Sequence, residues 1–237
     1  MFHRAHRILM LTMLLATATP AARAQLPADV WWHDGFHPAG LQGSVWALRP
    51  FSGGVVVGGT LAAVEDRPAL NVVRFELQDG LLARGTAVGE GLNGTVMAFA
   101  EHEGELIAGG QFTRSGGTVV ERVARWDGKS WQPVGAGLPG VTVKALASYG
   151  GHLQAGAYRW DGVAWTNVLQ TNGDVRFLAE HGGLLYVAGS FTQARGVAVN
   201  HAFAWDGVAV LPLGAGLSGP AVGLAVVMLT LTHLIGP

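Results

Sequence analysis

Val96-Met-Ala-Phe-Ala-Glu-His-Glu-Gly-Glu-Leu-Ile-Ala-Gly-Gly-Gln-Phe-Thr113 recurs later in the chain as Val175-Arg-Phe-Leu-Ala-Glu-His-Gly-Gly-Leu-Leu-Tyr-Val-Ala-Gly-Ser-Phe-Thr192. Each copy holds two short apolar runs parted by a Gly-bearing turn. A Gly-Gly or Gly-Ser pair ends the second run, and Phe-Thr follows. Two further segments share this opening, Val45 to Gly59 and Val143 to Gly156. The four starts, at Val45, Val96, Val143 and Val175, define a degenerate repeat of about 45–50 residues, and a repeat of that size points to solenoids and propellers before other folds.

A second shared block completes each unit. Ala124-Arg-Trp-Asp-Gly-Lys-Ser-Trp-Gln-Pro-Val-Gly-Ala-Gly-Leu138 returns as Tyr158-Arg-Trp-Asp-Gly-Val-Ala-Trp165 and as Ala204-Trp-Asp-Gly-Val-Ala-Val-Leu-Pro-Leu-Gly-Ala-Gly-Leu217. In the first unit Val73 to Gly80 takes this place, with Phe75 where the others have Trp. Asp-Gly between apolar residues predicts a hairpin, here of type I′. Four short strands per unit at this period make the blade of a β-propeller. A sandwich would not repeat its sequence, and a parallel β-helix would need a shorter coil. The expected fold is therefore all-β, a β-propeller of four-stranded blades, about four to five of them and incomplete. The repeat domain would span 25–237, with units near 45–95, 96–142, 143–174 and 175–220 and an off-pattern tail at 221–237.

The double glycines Gly58-Gly59 and Gly109-Gly110 after a β-run, with a Trp some way downstream, resemble kelch-type blades. The fuller pattern of Gly-Gly, Phe-Thr, Ala-Arg-Trp-Asp-Gly and Gly-x-Gly-Leu is similar to propeller repeats of secreted bacterial proteins, and related repeats occur in fungal cell-polarity surface proteins. The resemblance covers about residues 30–227. It implies a fold and leaves function open, since propellers host unrelated activities. The radical-copper oxidase chemistry found on one kelch-like fold needs a Cys crosslinked to Tyr, and this chain has no Cys.

The pattern breaks in three places. Trp32 to Phe36, followed by Gly40-Leu-Gln-Gly43, reads as the end of a unit without its beginning and is expected to be a closing strand. In the third unit Gly156 is followed almost at once by Trp160, so the Phe-Thr loop and the third strand are expected to be missing. After Leu217, Ala221 to Val227 fits a new first strand, but Met228 to Pro237 does not continue the unit. Truncation or a frame shift, a divergent final strand and a weak membrane anchor are the readings of this tail, and it is short for a membrane span of about 20 residues. An open ring is expected to expose apolar faces and sheet edges and to self-associate through them.

Composition narrows the compartment and the partners. Gly numbers 36 of 237 residues, yet 49% of the chain is apolar and eight residues are Trp, which argues for many tight turns in a packed protein and against a disordered linker. Arg4, His6 and Arg7, the apolar run from Ile8 to Ala16 and Ala22-Arg23-Ala24 predict a signal peptide over 1–24, cleaved before Gln25, and hence a secreted, periplasmic or cell-surface protein. Without Cys there is no disulfide framework, thiolate metal site or thiol nucleophile. A formal net charge of −1 without basic runs offers no footprint for nucleic acid.

No catalytic centre, metal site or cofactor is expected. Asp127, Asp161 and Asp206 recur one per unit at the same turn, so they serve the turn and cannot converge on one ion. His102 and His181 occupy equivalent positions, matched by Phe51 and Tyr149, which points to shared packing. Trp46, Trp126, Trp131, Trp160, Trp165, Trp205, Phe112 and Phe191 are expected to pack between blades, leaving Trp31 and Trp32 the better candidates for exposure. Binding, if present, is expected on the loops between second and third strands and the connections beside them, at Asn93, Thr113, Arg114, Arg122, Thr192, Arg195, Asn200 and His201. The reading that follows is a non-enzymatic interaction or surface-structural module with a protein or cell-surface glycan as partner. The alternatives are a truncated remnant of a longer repeat protein and an extracellular carbohydrate-active propeller enzyme. The second of these requires Glu101, His102, Glu180 and His181 to meet in one cleft.

Overall fold

Short apolar runs cut by tight turns can satisfy their backbone groups most simply by pairing each strand with the next, and the structure does this four times over. The computed structural model describes residues 40–65, 67–78 and 81–221. The expected signal peptide, the Trp31–Trp32 pair and the tail beyond Ala221 lie outside the described residues. Among the described residues all regular structure is β and there is no helix.

Sheet 1 contains β1 (Leu41–Phe51), β2 (Gly54–Val64), β3 (Arg67–Pro68), β4 (Val72–Gln78) and β5 (Leu81–Ala87). Sheet 2 contains β6 (Val96–His102) and β7 (Glu105–Gly110), then β10 (Val123–Trp126) and β11 (Trp131–Pro133); between them the loop forms a small ladder of β8 (Arg114–Ser115) and β9 (Thr118–Val119). Sheet 3 is β12 (Leu146–Tyr149), β13 (His152–Ala155), β14 (Tyr158–Trp160) and β15 (Trp165–Asn167). Sheet 4 is β16 (Val175–His181), β17 (Leu184–Gly189), β20 (Ala202–Trp205) and β21 (Val210–Pro212), with β18 (Gln193–Ala194) and β19 (Val197–Ala198) in its loop. Each sheet is an antiparallel meander, β1-β2-β4-β5 and its three counterparts, with β3 pairing on β2. The first strands stand side by side in the order β1, β6, β12, β16, and among the described residues β16 does not return to pack on β1.

The double glycine has a packing cause. A Cβ on Gly109 would lie 2.6 Å from Val143 of the next sheet, and one on Gly110 would lie 2.0 Å from the Thr95 carbonyl oxygen. Gly58 meets Val96 at 2.6 Å in the same way, and Gly59 meets the Ser44 carbonyl oxygen at 1.9 Å. The first glycine thus admits the neighbouring sheet, and the second admits the chain's own first strand where a β-bulge crowds it.

Neighbouring sheets share three cores of one design. Val88, Leu92, Val96 and Phe99 lie in the first, Val134, Leu138, Val143 and Leu146 in the second, and Val168, Leu169, Val175 and Leu178 in the third. A hydrogen bond latches each junction. The Trp131 indole N–H donates to the Val88 carbonyl at 3.1 Å, and that of Trp165 donates to the Val134 carbonyl at 2.9 Å. Sheet 4 has Val210 at the Trp position, and the Arg195 guanidinium donates instead to the Val168 carbonyl at 2.8 Å.

Three expectations need correction. The third strand of sheet 3 is present as β14; only the loop before it is lost, leaving Gly156 and Ala157 between β13 and β14. The Asp-Gly hairpins are not type I′ turns, because Gly128, Gly162 and Gly207 have positive φ but their Asp neighbours do not. Instead four residues close the loop, with the Asp127 carboxylate accepting from the Lys129 and Ser130 N–H groups at 2.8 Å each. Trp46, expected in a core, is 61% exposed, because it stands in the bulge between Val45 and Ala47. Met97 and Arg176 hold that bulge position in sheets 2 and 4.

Candidate functional site

The connection between sheets 1 and 2 carries Asn93 in Asn93-Gly94-Thr95-Val96, and its amide holds the loop of sheet 2. Asn93 Oδ1 accepts from the Thr113 N–H at 2.8 Å and the Arg114 N–H at 2.9 Å, while Nδ2 donates to Thr113 Oγ1 at 3.0 Å. The Asn93 N–H donates in turn to the Arg114 carbonyl at 2.9 Å. One side chain therefore satisfies two backbone donors that would otherwise need water.

Sheet 4 repeats the device. Asn172 Oδ1 accepts from the N–H groups of Thr192 at 2.8 Å and Gln193 at 3.0 Å, and its Nδ2 donates to Thr192 Oγ1 at 3.0 Å. Asn172 was not singled out by sequence, although Asn172-Gly-Asp-Val175 repeats Asn93-Gly-Thr-Val96. In sheet 3, where the loop is absent, the corresponding residue before Val143 is Gly140. Loop and clamp are lost together.

The other expected residues fall around these two loops, each already engaged. Arg122 has φ of 69° and His201 of 72°, and their carbonyls accept from the N–H groups of Gly110 and Gly189 at 3.1 and 3.0 Å. Arg122 Nη1 also donates to the Gln111 carbonyl at 3.0 Å, whereas His201 Nδ1 is buried without a partner. The Asn200 Nδ2 donates to the Ala215 carbonyl at 2.9 Å, and Arg195 is committed to its latch. Both loops also reach inward: Phe112 and Phe191 are fully buried in the first and third cores. Arg114 and Thr192 are exposed at the outer side of the loops, with Gly116 and Gly117 at the tip in sheet 2.

Three of the four carboxylate and imidazole candidates have partners of their own. Glu101 pairs with Arg49 at 3.8 Å, His102 Nδ1 lies 3.0 Å from Ser148 Oγ, and Glu180 Oε1 accepts from the Gly183 N–H at 3.2 Å. Tyr149, at the position of His102, packs on Trp205 with ring centroids 5.8 Å apart and donates to the Trp205 and Gly183 carbonyls; burial raises its phenol pKa above the ordinary value. The turn aspartates sit below the usual carboxylate range because backbone N–H groups bind their charged form, from Ser130 then Lys129 for Asp127, Ala164 then Val163 for Asp161, and Ala209 then Val208 for Asp206. Among the described residues no three His, Asp or Glu side chains gather as metal ligands.

No protein-family model matches this chain, and no curated protein matches it. Among solved structures it is similar to the WD40 β-propeller domain of Doa1, with 15% identity and a TM-score of 0.50 over 79% of this chain and 60% of that one. The computationally designed Ika4 protein is similar at 18% identity and a TM-score of 0.43, over 69% of this chain and 91% of that one. U3-55K is similar at 12% identity and a TM-score of 0.47, over 70% of this chain and 49% of that one. The repeated antiparallel sheets and the match to the Doa1 domain, of which this chain spans 60%, make it an all-β, propeller-type repeat protein.

Proposed function

We propose that this chain is a secreted, non-enzymatic β-propeller with kelch-like blades, and that it acts as an interaction or surface-structural module. In this reading the four sheets are the four-stranded blades of an unclosed ring, and residues 1–24 are removed on export. The observation that carries it is the pair of Asn clamps. They hold two loops in fixed conformations through the loop backbone and the Thr113 and Thr192 hydroxyls and leave the Arg114 and Gln193 side chains exposed, which suits a surface presented to a partner. The side chains there are hydroxyls, amides and guanidinium groups bound mostly to backbone, a composition that favours recognition of a protein or a glycan over bond-making chemistry.

The test is a binding screen of the secreted protein against cell-wall glycans and envelope proteins, repeated with Asn93→Ala and Asn172→Ala. A ligand whose affinity falls in both variants while the fold persists supports the loops as the site. A ligand that binds all three proteins equally places recognition elsewhere. Amino-terminal sequencing of the exported protein is expected to begin at Gln25.

A further inference from the structure

Each junction between sheets is built from four apolar residues, two from each side, at matching positions in the first two junctions and with Leu169 directly after Val168 in the third. The earlier sheet gives the residues after its fourth strand, Val88 and Leu92, Val134 and Leu138, or Val168 and Leu169; these are between 0% and 8% exposed. The later sheet gives two residues at or just before its first strand, Val96 and Phe99, Val143 and Leu146, or Val175 and Leu178. The two ends of the array hold the exposed halves of this quartet. At the sheet 4 end the chain's own Ala221 already takes one first-strand place, buried against Ala188 and Ala202 and donating its N–H to the Gly189 carbonyl as Val143 does to that of Gly110. On sheet 1 the first-strand pair is Val45 and Leu48, 46% and 67% exposed; on sheet 4 the final pair is Leu213 and Leu217, 42% and 46% exposed.

The latch is open at the same end. The Leu213 carbonyl accepts the Gly216 N–H, as the Val88 carbonyl accepts that of Gly91, but no indole or guanidinium from a further sheet reaches it among the described residues. Gly135 is overlain by Trp160 of the next sheet, 2.3 Å from where its Cβ would be, and Gly89 by Trp126 at 2.7 Å; at Gly214 nothing lies within 4 Å. Elsewhere sheet 1 covers its own outer face. Leu61, Val64 and Ala69 cluster there with Val57 and Val73, and Glu65 accepts from the Gly85 N–H at 3.1 Å and pairs with Arg84 at 3.5 Å. The Val45–Leu48 pair stays outside that cover.

We infer that the two end faces are the halves of one interface, and that sheet 4 of one molecule docks on sheet 1 of a second copy. This rests on the propeller reading above. Leu213 and Leu217 are then covered by Val45 and Leu48 of the partner molecule beside Ala221, which keeps the place that Val143 holds at its own junction. Such a contact is head to tail, so it either closes a ring or runs on as a filament. Propellers have about four to eight blades. Two copies bring eight sheets and three would exceed that range, so the expected product is a closed dimer with two equal junctions.

The experiment is sedimentation equilibrium of the full chain with two paired substitutions, Val45→Asp with Leu48→Asp, and Leu213→Asp with Leu217→Asp. All four residues are already exposed, and circular dichroism checks that the sheets persist. The wild type is expected to be a dimer. Each variant alone is expected to be monomeric, its dissociation constant raised at least about tenfold. Mixed together, the two variants are expected to form a one-to-one heterodimer through the one junction that keeps both native halves. A monomeric wild type overturns the proposal, as does one variant that dimerises alone, because that outcome marks a two-fold contact of one end with itself. Neither result touches the loop-binding reading, which is tested on the monomeric variants with the loops unchanged.

Discussion

Sheets 2 and 3 are neighbours with the same meander, and they differ in one insertion. Sheet 2 spends the chain from Gln111 to Arg122 on a loop with its own small ladder; sheet 3 turns from β13 to β14 through Gly156 and Ala157. The four strands form either way, because the ladder bonds and the Asp turn are local to each sheet. The loop nevertheless is not a free appendage. Phe112 and Val120 lie fully buried in the core between sheets 1 and 2, as Phe191 does between sheets 3 and 4. The core between sheets 2 and 3 has no such plug and uses Tyr158, Trp160 and Trp165 at its margin. The meander is thus the constant scaffold and the loop an anchored addition.

That comparison can be broken most severely at the latches. Trp131→Ala is expected to cost about 3–5 kcal/mol in a urea melt, since a fully buried indole leaves a cavity and the Val88 carbonyl loses a donor. Trp165→Ala in sheet 3 removes a half-buried ring and should cost clearly less; equal losses would show that the two junctions do not differ as described. A smaller effect is expected at the clamp. Asn93→Ala should lower stability by about 1 kcal/mol and make the Gly116–Gly117 tip sensitive to limited proteolysis. The counterpart on sheet 3, Gly140→Asn, has open space around its Cβ and no loop to hold, and its only cost is the φ of 79° there. Its melt should therefore show a loss of about 1 kcal/mol with no gain in protection from proteolysis.

The smallest effect is a pH dependence common to both sheets. Asp127 and Asp161 have folded pKa values below their unfolded values, so their contribution is present above the ordinary aspartate pKa of about 4 and is lost as pH falls through the lower folded value. Asp127 accepts further hydrogen bonds from Gln132 and Ser130 side chains, which Asp161 lacks. Acid unfolding of Asp127→Asn should therefore lose more of its dependence in that window than acid unfolding of Asp161→Asn. The reverse order would count against the side-chain donors.

Much of the scaffold was legible because its causes are short-range. Turn glycines, apolar runs and the recurring Trp-Asp-Gly block act within a few residues, and they identified an all-β propeller-type repeat. Asn93 was found among loop residues, but Asn172 was passed over even though its Asn-Gly-x-Val context repeats. The misreadings came where a neighbour in space decides. A four-residue loop closed by the Asp carboxylate replaced the two-residue turn, a bulge turned Trp46 outward, and β14 formed on β13 without the loop that precedes its counterparts.

The repeat period, the strand-forming runs and the glycines that let sheets approach were written in the chain itself, since backbone pairing and turn chemistry need only adjacent residues. Which Val or Leu is buried was decided by tertiary structure alone. Val45 and Val96 have the same local sequence role, yet one is 46% exposed and the other fully buried, because burial depends on whether another sheet stands in front.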